Sequence, residues 1–488
     1  MTAASVQFIS LPFLFFFLIV LSIYWLNVRY PVVQKWILLI SSLLFYTIPF
    51  YDTAGLKPLS LLILSTISAY ICAQLIYICR PHNRAMALSL GISIQLGILG
   101  LHKYFHFFRE STLHIANFFG LEAHIPLLQI ALPVGVSFYC FQAIAYLVDI
   151  KRGHDTPTAS LLDFAIFQAF FPKLLLGPIC RSHDLLPQIQ KPRTTIPNIH
   201  HALLLILSGL IKKMIIATML YEYGVPQAFL DPEGLSAISL WIAAFGYTAQ
   251  LYCDFSGYTD LALGFAMLLG FTLPPNFASP YVATNLGDFW KRWHMSFSRW
   301  LRDYIYIPLG GAWCSPNRIS INLFLTFLFC GIWHGASMGY LIWGAVHGVG
   351  LAVHKRRRDN KRKKGVDPTR PSSYSVACLG WMYTISFITF SRIVFQTPDL
   401  EHAWSYYTRM FNPFATGLAI SWEQVVLILL TFGINLWGPA IFQSLSKSME
   451  KPQSTFSLVG YILLFVAAMF SLFSLMPSGI PPFLYARF

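Results

Sequence analysis

Ionisable side chains are scarce in this sequence, and a few stand inside apolar runs, where they are costly. The sharpest case is His334, in Phe329-Cys330-Gly331-Ile332-Trp333-His334-Gly335-Ala336-Ser337. The apolar run Ile319 to Ile332 leads into it, and the run Ala336 to Val353 leads away to a basic segment. With both flanking basic segments on one side of a membrane, the two runs make a hairpin with His334 at its apex. At ~1.5 Å of rise per residue the first arm places that apex about 20 Å deep. Gly331 and Gly335 are expected to permit a sharp turn and a close backbone approach. A neutral imidazole in such a place can take a proton from a hydroxyl, the step of a general base. The plain alternative is a hydrogen-bonded packing histidine.

A second cluster runs from Asp288 to Tyr304. Lys291, Arg292, Arg299 and Arg302 alternate there with Trp290, Trp293 and Trp300, around His294 and Ser296. That mixture suits a helix lying at a phospholipid surface, and its basic face can also receive an anionic substrate such as a nucleotide phosphate. His294 is flanked by aromatic residues and not by solvent-type ones. A third cluster holds Asp254, Ser256, Tyr258, Thr259 and Asp260. Carboxylates at i and i+6 do not share a helix face, so they read as structural hydrogen-bonding groups in a broken helix and not as a metal pair. His347 follows His334 by about 3.6 turns, which keeps the two off one straight helical face. The His354 to Asp359 spacing lies in a charge run and reads as coincidence. HExxH and P-loop patterns do not occur, so ATP-driven transport is not encoded in this chain.

The elements that must position these residues are membrane helices. Of 488 residues, 56% are hydrophobic, 16% aromatic and only 11% charged. So little charge cannot cover a soluble fold of this size, and disorder needs the opposite composition. The apolar runs are long and unbroken, unlike the short alternating strands of a β-barrel. The expected class is an all-α polytopic integral membrane protein with about 11–13 transmembrane or re-entrant helices. Formal net charge is +14, yet eight of the 34 basic residues fall in one run, Lys355 to Lys364. Membrane topology explains that run better than nucleic-acid binding does. The eight cysteines form no CxxC pair and read as small core residues, with no disulfide framework or zinc site.

Along the chain, Phe8 to Leu26 reads as a retained first span and not a signal peptide, with the N-terminus outside. Further spans are expected near 36–51, 58–79, 85–108, 131–149, 199–223, 235–270, 318–332, 336–353, 375–396, 419–443 and 456–476, and 109–130 is expected to be interfacial. The stretch 160–179 contains Pro172, Lys173, Gly177 and Pro178, and is expected to be re-entrant or broken. The run 235–270 is too long for one straight crossing and is expected to break around Asp254 to Asp260. One membrane domain, 1–488, is the simplest division. Within it, 272–315 is the interfacial basic and aromatic segment and 355–371 a cytoplasmic basic loop.

Several stretches together carry a resemblance. They include Leu132-Pro133-Val134-Gly135-Val136-Ser137-Phe138-Tyr139, Phe171-Pro172-Lys173 with Gly177-Pro178, and Gly209-Leu210-Ile211-Lys212-Lys213. They continue through Asp254-Phe255-Ser256-Gly257-Tyr258-Thr259-Asp260, Asn276-Phe277, and Asp288 to Gly311. The last are Gly331-Ile332-Trp333-His334-Gly335 and Ile342-Trp343-Gly344 with His347-Gly348. On these the chain resembles the membrane-bound O-acyltransferase family, in its bacterial branch that modifies alginate and teichoic acid. Cys330 departs from the glycine that relatives often carry, and the C-terminus is less aromatic than theirs.

The resemblance implies that His334 is the catalytic histidine and His294 a second functional residue. It implies a central cavity through the membrane, an acyl thioester donor from the cytoplasm and a hydroxyl acceptor outside. It also implies extracytoplasmic acetylation partner proteins and a bacterial cytoplasmic (inner) membrane location. Chain length favours the alginate-type branch, hence acetyl transfer from acetyl-CoA to a cell-surface polysaccharide, with no bound cofactor and no metal. Lys291, Arg292, Arg299 and Arg302 are the expected seat of donor phosphates, with Trp333, Asp288 and Ser296 as further substrate contacts. D-alanyl or other acyl transfer to a cell-wall polymer stays open. So do a glycan or lipid channel or exporter and a non-catalytic assembly subunit.

Overall fold

A computed structural model describes residues 8–48, 51–120, 134–365, 367, 373–419 and 421–449. The described chain is helical, with one isolated bridge between Leu235 and Leu418. It is an all-α polytopic membrane protein. Among the described residues, five helical stretches are long and apolar enough to cross a membrane: Lys57–Ile78, Pro81–Tyr104, Ile199–Glu222, Tyr374–Gln396 and Trp422–Lys447. The expected span at 456–476 lies outside the described residues, as do 121–133.

The chain divides into two compact units. The first, Met1–Ala202 with Ala262–Pro274, holds α1 (Leu11–Leu26), α2 (Pro31–Thr47), α3 (Lys57–Ile78), α4 (Pro81–Leu99), α5 (Val136–Arg152) and α6 (Leu161–Ala169). Helix signals are local: Ser10 caps α1 by accepting from the Phe13 N–H at 3.2 Å, and Pro12 sits in its first turn. The expected break in 160–179 is present. After α6 a single turn, Phe171–Leu174, leads into irregular backbone. Lys173 is buried there and donates to Gln142 Oε1 at 2.5 Å, so the irregular stretch lies inside protein.

The second unit, Leu203–Leu261 with the chain from Pro275, contains every residue of the candidate site. It holds most of α7 (Ile199–Leu210) and of α8 (Ala237–Leu268), and the whole of α9 (Leu286–Arg292), α10 (Met295–Leu301), α11 (Pro316–His334), α12 (Met338–Lys363), α13 (Tyr374–Gln396) and α14 (Trp422–Met449). The expected break in 235–270 is absent: α8 is one continuous helix of 32 residues. Its carboxylates need no break, because another segment neutralises them. Lys212 bonds Asp260 at 2.6 Å, Ser208 bonds the same carboxylate at 2.9 Å, and Lys213 pairs with Asp254. The irregularity falls instead on that partner segment, Ile211–Ala217, which is a π-helix following α7. Its wider turn lets two consecutive lysines face α8. The basic run expected as a loop continues α12 as helix through Lys363.

Candidate functional site

The expected hairpin is formed by α11 and α12. Pro316 opens α11 behind its cap Ser315, and His334 is its last residue. The arms meet closely because glycines face each other. A Cβ on Gly344 would lie 2.5 Å from the Phe327 carbonyl oxygen, and one on Gly331 only 3.2 Å from Gly344 Cα. Gly331 therefore serves the packing of the arms, as small residues do between membrane helices, and not the turn itself. His334 is 3% exposed, with Trp343 and Phe395 rings 5.2 and 4.9 Å away.

His294 reaches the same cavity from the junction of α9 and α10. Its backbone is left-handed, φ 43°, one of two non-glycine residues with positive φ among those described. Such a conformation costs about 1–3 kcal/mol and persists only where the surroundings hold it. The holder is Asn276, itself buried. Its carbonyl accepts from the Met295 N–H at 2.8 Å. Its Oδ1 accepts from the Ser296 N–H at 3.2 Å and the Ser296 hydroxyl at 2.7 Å, and meets His294 Nδ1 at 3.2 Å. A backbone N–H only donates, so this amide oxygen is an acceptor and His294 Nδ1 is its donor. The neutral ring then carries its lone pair on Nε2.

His347, one helix along, is fixed differently. Trp290 Nε1–H donates to its Nδ1 at 3.3 Å. Its Nε2 meets Ser391 Oγ at 2.9 Å, and that hydroxyl donates onward to the Ile388 carbonyl at 2.9 Å. Both ring nitrogens are committed, Nδ1 as acceptor and Nε2–H as donor, so this histidine positions its neighbours and carries no free lone pair. Arg392, on α13, is 5% exposed. Its Nη1 donates to Tyr281 Oη at 2.8 Å and to the Thr248 carbonyl at 3.4 Å, and its guanidinium carbon lies 4.6 Å from the Trp293 ring centroid. Tyr281 is anchored in turn, its hydroxyl donating to Thr248 O at 2.5 Å and its carbonyl accepting from Trp381 Nε1 at 2.7 Å.

His294, His334, His347 and Arg392 line one aromatic-walled cavity of about 30 Å³, with no carboxylate in its lining among the described residues. That is room for a water-sized group or two. A second cavity, about 450 Å³, is lined by Gly350, His354, Arg357, Arg358 and Lys361 of α12 together with Asn285. Positions 347, 350, 354, 358 and 361 follow a helical stripe, so one face of α12 contributes lining residues to both cavities. From His347 to Lys361 the rise is about 21 Å. Burial, then the cations Arg358, Lys291 and Lys361, hold the His354 imidazole below its ordinary pKa. Arg358 Nε is buried with no acceptor among the described residues.

The sequence thus brings His334 and His294 together. Trp333 and Ser296 are buried but do not line that cavity, and the Trp333 ring lies tilted at 37° to that of Phe297, 4.2 Å between centroids. Lys291, Arg299 and Arg302 are exposed, and neither they nor Arg292 line it. Arg292 pairs with Asp288 at 3.0 Å and Arg302 with Asp303 at 2.7 Å. Sequence reasoning passed over Arg392, although an arginine inside the apolar run 375–396 is the signal that singled out His334. It set His347 aside with a one-helix test, which has no force between the two arms of a hairpin.

A model of the membrane-bound O-acyltransferase family matches residues 152–395. A probable alginate O-acetylase of Azotobacter vinelandii is 36% identical over 408 residues, covering 83% of this chain and 78% of that protein. One from Pseudomonas aeruginosa is 38% identical over 325 residues, covering 67% of this chain and 60% of that protein. A peptidoglycan O-acetyltransferase of Helicobacter pylori is 34% identical over 402 residues, covering 76% and 73%.

Proposed function

The chain belongs to the membrane-bound O-acyltransferase family, and from that premise we propose an acetyl transfer with His334 as general base. The donor is a cytoplasmic acetyl thioester such as acetyl-CoA. The acceptor is a hydroxyl of an extracytoplasmic polysaccharide, alginate-like or another envelope glycan, at a bacterial inner membrane. The whole chain acts as one catalytic domain, with extracytoplasmic partner proteins completing the modification.

The observation that carries this reading is His334 at the tip of the hairpin, buried among aromatic rings and lining a cavity with His294. There the imidazole takes the acceptor proton as the oxygen attacks the thioester carbon. A C–O bond forms, the C–S bond breaks, and the proton passes from the imidazolium to the leaving thiolate. The balance is alcohol plus thioester giving ester plus thiol. His294, oriented by Asn276, presents Nε2 as a second polar contact to the reacting groups, with Trp333 and Ser296 holding that wall. A well-placed base contributes ~10² to 10⁴ in rate. The donor's phosphates sit in the basic cavity of His354, Arg357, Arg358 and Lys361, with Lys291 alongside, in place of the exposed Arg299 and Arg302.

Acetyl is favoured over D-alanyl on electrostatic grounds. A D-alanyl group carries an ammonium, which calls for a carboxylate in the cavity, whereas the lining offers a fixed guanidinium and no carboxylate. The test is the acetyl content of surface polysaccharide in cells carrying wild type or His334→Ala at matched membrane levels. Loss of acetylation is expected. Normal acetylation sinks the assignment and returns attention to the channel reading.

A further inference from the structure

Arg392 is a permanent cation in a place that offers it no anion. It is 5% exposed, on a helix apolar enough to span a membrane, and among the described residues no carboxylate lies within 4.0 Å of it. An uncompensated charge so deep is destabilising unless something in the working cycle answers it. The charge is also held still. Nη1 is engaged by Tyr281 Oη and Thr248 O, and the guanidinium carbon lies 4.6 Å from the Trp293 ring centroid. Tyr281 has its own anchors in Thr248 O, Trp381 Nε1 and Asn435 Oδ1. Nε and Nη2 have no acceptor among the described residues, and the side chain lines the cavity shared with His334. Phe395, which touches the His334 ring at 4.9 Å, lies one residue short of a turn along the same face of α13.

We propose that Arg392 is a catalytic residue that stabilises the oxyanion formed on the acyl carbonyl. This rests on the acyl-transfer reading above and extends it. As the acceptor oxygen bonds to the carbonyl carbon and its proton moves to His334, the carbonyl π pair moves onto oxygen. That oxygen becomes the anion for Nε–H and Nη2–H of Arg392. When the C–S bond breaks, the pair returns to the carbonyl and the thiolate takes the proton from His334. The ground state, an alcohol and a thioester, is neutral, so the guanidinium is satisfied chiefly in the transition state. An interaction of that kind raises kcat more than it lowers KM.

The experiment uses the full chain in lipid nanodiscs, with acetyl-CoA as donor and alginate oligomers as acceptor. Removing one oxyanion donor typically costs about 10² to 10³ in kcat. Arg392→Ala is expected to lose kcat on that scale with both KM values little changed, and millimolar guanidinium is expected to restore part of it. Arg392→Lys, which keeps the charge without the planar fork, is expected to fall between. If the alanine variant does not assemble, the lysine variant and the melting temperatures carry the test. Wild-type kcat in the variants overturns the proposal, and so does a loss confined to KM. A loss that follows melting temperature in both variants, with no guanidinium rescue, also overturns it and assigns Arg392 to structure. His334→Ala is measured alongside. If it too is silent, the acyl-transfer reading has failed; if it alone is inactive, only the role of Arg392 has failed.

Discussion

Replacing Asn276 with alanine removes one acceptor from three donors at once. Its Oδ1 receives the Ser296 N–H, the Ser296 hydroxyl and His294 Nδ1–H at 3.2, 2.7 and 3.2 Å. A typical intramolecular hydrogen bond contributes about 1 kcal/mol net, so three lost together amount to about 3 kcal/mol. Leaving buried donors without acceptors pushes the figure upward. The loss also frees a backbone that is strained: His294 at φ 43° is free to relax toward ordinary helix, which swings its ring out of the cavity. A shift of about 1 Å at a reacting group can cost ~10² in rate. Asn276→Ala is therefore expected to melt several degrees below wild type and to transfer acetyl at least tenfold more slowly. Asn276→Asp, which keeps the acceptor oxygen, is expected to lie nearer wild type in both. The assay is a thermal melt of the purified protein beside its turnover of acetyl-CoA with alginate oligomers. An Asn276→Ala protein with wild-type melting and turnover refutes the reasoning that this amide holds His294 in place.

Three further outcomes follow from the same geometry. Gly344→Ala puts a methyl 2.5 Å from the Phe327 carbonyl oxygen, and the misfit should cost about 1–3 kcal/mol in thermal stability and displace His334. Lys213→Met takes the lysine partner away from buried Asp254 and should cost up to about 3–5 kcal/mol, read as reduced membrane level and melting temperature; the double change Lys213→Met with Asp254→Leu should recover most of it. Burial and neighbouring cations keep His354 neutral in the empty basic cavity, whereas a bound phosphate favours the imidazolium. Donor binding then takes up a proton, so the KM for acetyl-CoA should fall as pH drops through the histidine range, and His354→Gln should flatten that dependence.

The hairpin was legible because its signal is entirely local: two apolar arms between basic segments, with His334 and Gly335 at the bend. The break in 160–179 was legible for the same reason, since Pro172, Gly177 and Pro178 stand close together there. The supposed break at Asp254 to Asp260 was misread because what rescues those carboxylates is far away in sequence. Lys212 and Lys213 come from another segment, and no periodicity in 235–270 announces them. Donor phosphates were expected on the Trp-rich segment, where Lys291, Arg299 and Arg302 are exposed. The cations that line the second cavity, Arg357, Arg358 and Lys361, belong to the far end of α12, which continues as helix where charge density suggested a loop. The hold of Asn276 on His294 depends on a left-handed residue that only tertiary contacts sustain.

The most direct test is transfer of labelled acetyl from acetyl-CoA to alginate oligomers by the nanodisc-embedded protein, comparing wild type with His334→Ala at equal melting temperature. A drop of about 10² to 10⁴ with the fold intact is what the general-base role predicts. Transfer at the wild-type rate without the His334 imidazole contradicts it.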